Sequence, residues 1–141
     1  TLYDILMEIY VEYGFSLEVT VNVVKPGKTG ADEIKAMMEN FRACPPKELG
    51  GSEVVLVKDY KTLKATDNTG KSTDLDMPEP SNVLQFFTAD GTKVSVRPSG
   101  TEPKIKFYME IKGEMHCPKC YAGALADAKE KVDAVKKSLG I

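Results

Sequence analysis

The chain lacks any excess of positive charge: 19 Lys and Arg stand against 21 Asp and Glu, a formal net charge of −2. A general nucleic-acid binder needs a broad basic surface, so that class is excluded and any anion site must be local. No apolar run approaches the roughly 20 residues that span a bilayer, which leaves no candidate membrane helix. The start, Thr1-Leu-Tyr-Asp-Ile5, has no basic region ahead of an apolar one, so no signal peptide is read. Three cysteines are too few, and odd in number, for a disulfide framework. These absences point to the cytoplasm. Methionine is missing from position 1, from which a piece of a longer chain is expected.

What is present suits a globular domain. A hydrophobic fraction of 42% and a charged fraction of 28% over 141 residues allow one compact core with an extension. Leu2, Ile5, Leu6, Ile9, Tyr10 and Tyr13 recur at helical spacing over residues 1–13. Thr1 and Asp4 form a candidate capping box, and Gly14 is a stop. Residues 16–24 alternate in period two, with Leu17, Val19, Val21 and Val23 on one face of a strand. Thr29 and Asp32 then cap a helix with the stripe Ile34, Met37, Met38 and Phe41, ended by Pro45-Pro46. Further strands are expected over 53–60, 82–88, 92–97 and 104–112, the middle two joined by a two-residue hairpin turn at Asp90-Gly91. Residues 61–80 read as an irregular loop with a turn at Asp67–Gly70. A last helix over about 119–139 carries Leu125, Ala128, Val132, Val135 and Leu139, with Gly140 as its stop. The fold class that follows is α+β in two layers: an antiparallel sheet of about four strands with two flanking helices.

Between two of these strands lies Arg97-Pro-Ser-Gly-Thr-Glu-Pro-Lys104. Arg97 offers a planar fork that matches two phosphate oxygens. Ser99 and Thr101 supply hydroxyls, Gly100 lets the backbone turn its amides into one concavity, and Pro98 and Pro103 reduce the freedom lost on binding. Strand parity sets Val94 and Val96 toward the core and Arg97, Lys104 and Lys106 around the loop's mouth. Glu102 is expected to accept from loop amides or from Arg97. The same residue types also build plain rigid turns, and composition does not separate the two readings. No Walker-type spacing is present.

The string Val94-Ser-Val-Arg-Pro-Ser-Gly-Thr-Glu-Pro-Lys-Ile-Lys-Phe-Tyr108 resembles the C-terminal phosphate-binding loop of the alpha-D-phosphohexomutases, the phosphoglucomutase and phosphomannomutase superfamily. Its approach, Ser81-Asn-Val-Leu-Gln-Phe-Phe87 followed by Asp90-Gly91, is similar too, as are Met37-Met38, Arg42, Pro45-Pro46, Gly50-Gly51 and Asp59-Tyr60. The resemblance implies a last domain with a fold like that of the TATA-box-binding protein, over 15–141. Residues 1–14 would then be the final helix of a third domain, plus a hinge. It implies an intramolecular phosphotransferase that moves phosphate between the 1- and 6-positions of a hexose. A phosphoserine and Mg²⁺ serve in other domains, and no cofactor or metal belongs to this one. By the same resemblance Arg97, Ser99, Gly100 and Thr101 hold the phosphate that is not reacting, with Lys104 auxiliary. This chain alone is then expected to be inactive. Its partners would be a phosphorylated hexose and the enzyme's other domains, with neither nucleic acid nor membrane. Glucosamine mutases carry a very similar loop, so the sugar stays open among glucose, mannose, glucosamine and pentose phosphates. A stand-alone module that binds a phosphorylated ligand or a protein is the alternative.

His116-Cys-Pro-Lys-Cys120 holds a Cys-x-x-Cys pair. A structural zinc needs four ligands, and joining Cys44 and His116 to the pair gives no common spacing. The histidine precedes the pair, which rules out haem attachment. A loop leading into the last helix is the reading adopted.

Overall fold

A computed structural model describes all of residues 1–141. The order is α1 (Leu2–Tyr13), β1 (Phe15–Val24), α2 (Gly30–Ala43), β2 (Glu48–Leu49), β3 (Ser52–Asp59), β4 (Lys64–Asp67), β5 (Ser72–Asp74), β6 (Leu84–Thr88), β7 (Lys93–Pro98), β8 (Lys104–Gly113) and α3 (Tyr121–Leu139), with a 3₁₀ turn at Pro118–Cys120. The strands form one antiparallel sheet in the order β1-β8-β7-β6-β3-β4-β5, with β2 paired to β3 beside this path. The α+β class holds, but the sheet is eight-stranded rather than about four-stranded. The extra strands come chiefly from residues 61–80, expected to be an irregular loop. β4 and β5 pair there around the Asp67–Gly70 turn, where Asp67 Oδ1 accepts from the amides of Thr69 and Lys71. β5 is exposed throughout, so it shows no apolar alternation by which sequence could reveal it.

Period-two alternation divides the sheet. Leu84, Phe86, Val94, Val96, Ile105, Phe107 and Met109 are fully or almost fully buried on one face. Against them lie Ile34 and Met38 of α2 and Ala128, Val132 and Val135 of α3, as the helical spacing predicts. Phe41 meets Phe86 and Phe107 edge-on, with ring centroids 6.2 Å apart in each pair. Gly140 ends α3 in the left-handed region, φ 73°, as a C-terminal stop requires.

Three local expectations change. In α1 the Thr1/Asp4 capping box forms, yet the buried residue is Met7, while Leu2, Ile5, Leu6, Ile9 and Tyr13 stay exposed. Tyr10 and Tyr121 stack at 6.2 Å, and both meet Phe15 edge-on, so aromatic contacts select which side of α1 turns inward. Thr29 stands at the N-cap of α2, but its hydroxyl faces Glu33 Oε1 instead of a backbone amide. Cys117 and Cys120, read as part of a plain loop, form a disulfide. The 3₁₀ turn brings their Cα atoms to 5.3 Å, within bridging range, as the Cys120 amide donates to the Cys117 carbonyl.

The β6–β7 hairpin also differs from the two-residue turn expected. Its loop spans 89–92, and only Gly91 takes positive φ, at 88°. Asp90 holds this loop by accepting from the Thr88 hydroxyl, the Thr92 amide and Lys131 of α3. Burial alone would raise its pKa, but these hydrogen bonds outweigh it and keep the carboxyl far below the ordinary aspartate range. A depressed folded-state pKa adds stability above the unfolded value, and the stability is lost as pH falls below it. The melting temperature of the wild type is therefore expected to fall between neutral pH and strong acid more steeply than that of Asp90→Asn. Parallel curves in thermal scans across pH would contradict this.

Candidate functional site

β7 and β8 pair antiparallel, which sets Arg97 directly opposite Lys106 and Val96 opposite Phe107. The alternation that buries Val96, Ile105 and Phe107 therefore places Arg97, Lys104, Lys106 and Tyr108 on the opposite, helix-free face. Beyond β7 the chain turns through Ser99–Pro103. The turn is closed by the Ser99 amide donating to the Lys104 carbonyl at 2.8 Å and the Lys104 amide to the Glu102 carbonyl at 2.7 Å. Thr101 N–H reaches Ser99 Oγ at 3.5 Å.

A cavity of about 210 Å³ opens at this turn, lined by Arg97, Pro98, Ser99, Gly100, Lys106 and Tyr108. It brings together three of the five residues expected from sequence, Arg97, Ser99 and Gly100. Thr101 is exposed on the loop and Lys104 lies beside it, and neither lines the cavity wall. Lys104 Nζ pairs with Glu102 Oε2 at 3.3 Å. That contact corrects the expected role of Glu102, which meets a lysine two residues on and not Arg97. The chain bends at Gly100 without a positive φ, so the turn there does not require glycine's left-handed freedom. A Cβ there would meet nothing within 4 Å, so its surroundings are open space. Lys106, one of the cations expected around the mouth, takes the wall position. Tyr108 was not anticipated, although period two from Lys106 puts it on the same face.

Lys93 on the same face and Arg42 in another cavity both have acidic partners. Lys93, next along the open face, is neutralised by Glu110 at 3.5 Å. Glu110 also accepts from Lys112, chiefly for which its carboxyl sits below the usual glutamate range. Arg42, in a larger cavity of about 610 Å³ between α2 and β3–β4, pairs with Asp59 at 3.3 Å, with Glu39 at 3.3 Å and with Asn82. Arg97 and Lys106 form no ion pair, although they face each other across the ladder. Like charges directly opposite destabilise a sheet, and no carboxylate offsets this pair.

Residues 18–116 match the family described as phosphoglucomutase/phosphomannomutase, C-terminal domain. A phosphoglucomutase of Staphylococcus haemolyticus (strain JCSC1435) is 37% identical over 114 residues, 79% of this chain and 20% of that protein. One from Staphylococcus aureus (strain bovine RF122 / ET3-1) is 33% identical over 135 residues, 96% of this chain and 23% of that protein. The chain thus spans about a fifth of the length of the curated relatives it matches. Among solved structures, the open form of the exocytosis-sensitive phosphoprotein pp63/parafusin, a Paramecium phosphoglucomutase, aligns with 100% of this chain and 24% of its own. The TM-score is 0.44 and the identity 13%.

Proposed function

The chain belongs to the phosphoglucomutase/phosphomannomutase family, as its C-terminal domain, and on that premise we propose that the Arg97–Lys104 loop holds the non-reacting phosphate of a phosphorylated hexose. The whole enzyme, in this reading, interconverts hexose 1-phosphates and 6-phosphates. One observation carries it: Arg97 stands opposite Lys106 with no acidic partner, at the wall of a cavity that also holds Ser99. Arg97 gives a two-pronged contact, Lys106 a point charge, and the Ser99 hydroxyl a neutral donor. Thr101 and Lys104 join as the loop's outer donors. Each charge-assisted hydrogen bond contributes about 1.5–3 kcal/mol, so two cations and a hydroxyl make a usable site.

The loop's contribution to the reaction is positioning. Phosphoryl transfer leaves little covalent work to the protein, and fixing one end of the substrate sets where the other end lies. Mg²⁺ supplies charge neutralisation in such transfers. In this reading the metal and the phosphoserine belong to the enzyme's other domains. Alone, the chain binds phosphate and turns nothing over. In the same proposal α1 completes a preceding domain, in keeping with the exposed stripe of Leu2, Ile5, Leu6 and Ile9. The location assigned is the cytoplasm; no helix is long and apolar enough to cross a membrane.

Lys106→Gln separates this reading from that of a plain turn, because binding and stability move in opposite directions. Phosphate affinity should fall about 10-fold, the lower end for a charged hydrogen bond. The ligand-free protein should gain a few tenths of a kcal/mol, on the order of an opposed like-charge pair. Calorimetric titration and thermal scans without phosphate check both. Unchanged affinity with a lowered melting temperature would leave only a structural lysine.

A further inference from the structure

The cavity loop is seated on a part of the fold remote in sequence. At the end of β1, the Lys25 amide donates to the Pro103 carbonyl at 2.9 Å, one step beyond the last ladder pair, Val24 with Lys104. The chain then doubles back through 26–29 so that Gly30, the first residue of α2, is buried against this junction. A Cβ on Gly30 would lie 1.8 Å from the Lys25 carbonyl oxygen and 3.0 Å from Pro103 Cβ. The first distance is to backbone, so no other residue fits without moving the 25–29 turn. Lys25 Nζ also reaches Glu33, in the first turn of α2, at 3.9 Å.

The two legs of the loop are held differently. The leading leg, Arg97-Pro98, is paired within the sheet to Lys106 and Ile105. The trailing leg reaches the cavity through Pro103 to Lys104, whose carbonyl accepts the Ser99 amide. Pro103 is thus linked to Ser99, a wall residue, through the Lys104 carbonyl.

From this continuity we infer that the Lys25 backbone amide and Gly30 are positioning residues for the phosphate site, fixing the loop's trailing leg before ligand arrives. The inference rests on the phosphate reading above. Its physical content is preorganisation: a loop already held in its binding geometry loses less freedom when the anion docks. Neither residue touches the ligand.

Two substitutions at one position isolate the amide. Lys25→Pro removes the N–H, whereas Lys25→Ala keeps the N–H and removes the ion pair to Glu33. Titrated with inorganic phosphate, Lys25→Pro should lose about 10-fold or more in affinity, since misplacement by an ångström is costly in a preorganised site. Lys25→Ala should bind as wild type, and Gly30→Ala should follow Lys25→Pro. The ligand-free amide signals of Ser99 and Gly100 should shift in the two weakened variants, with those of the β6 core unmoved. In the wild type, hydrogen exchange at the Lys25 amide should slow together with that at Ser99 when phosphate saturates the protein. That measurement needs no variant to fold. A Lys25 exchange rate indifferent to phosphate, or wild-type affinity in Lys25→Pro, overturns the inference. Arg97→Ala is the control that tells the two ideas apart. If it loses binding while Lys25→Pro and Gly30→Ala do not, the phosphate reading stands and the positioning role falls. If Arg97→Ala binds normally, both fall.

Discussion

Arg97→Ala should weaken the binding of inorganic phosphate and of glucose 1-phosphate by about 100-fold, the upper range for removal of a charge-assisted hydrogen bond pair. The side chain is exposed at the end of β7, contributes nothing to the core and has no acidic partner to strand. Its removal also relieves the opposition to Lys106, so the unfolding midpoint should hold or rise. Arg97→Lys should recover only part of the loss, because a point charge cannot engage two oxygens in one plane. Isothermal titration beside thermal scans checks all three statements. A variant that unfolds more easily while binding normally would mean that Arg97 serves the sheet and not a ligand.

Phe107→Ala should cost about 3–5 kcal/mol of stability, the range for truncating a buried aromatic. Phe107 is fully buried, lies opposite Val96 on one side and Val21 on the other, and meets Phe41 of α2 with planes at 83°. Little in the surrounding sheet can move into the space. The loss would be a large part of the 5–15 kcal/mol that holds a typical domain together. The same residue fixes the register that turns Lys106 and Tyr108 to the open face. A slip of one residue would put Lys106 in the core and Phe107 in solvent. Urea unfolding at 25 °C measures the change. A cost below about 1 kcal/mol, typical of surface sites, would indicate a different register for β8.

Much of this was readable from residues alone, and for physical reasons. β7 and β8 alternate cleanly, so Val94, Val96, Ile105 and Phe107 announced their face, and the Arg97–Lys104 loop was bracketed between them. Arg97, Ser99 and Gly100 meet at the cavity because their positions follow from where the strands end. Which cations line the cavity wall depends on cross-strand register, which pairs Arg97 with Lys106. β5 was missed for want of a buried face, and β4 because Ala65 is its one buried residue. The inward side of α1 was misjudged because its apolar residues form a broad stripe. Contacts with Tyr121, more than a hundred positions away, decide the matter by turning Met7 and Tyr10 inward. The seat that Lys25 and Gly30 give to Pro103 has no local sequence signal at all; it exists only once β1 lies beside β8.

The most direct test is a backbone-amide titration of this chain with glucose 1-phosphate, followed residue by residue. Saturable shifts centred on Ser99, Gly100 and Thr101, with Lys106 beside them and all lost in Arg97→Ala, are the expected result. Shifts that gather instead around Arg42 and Asp59 in the larger cavity, or loop amides unmoved at saturating ligand, would contradict it.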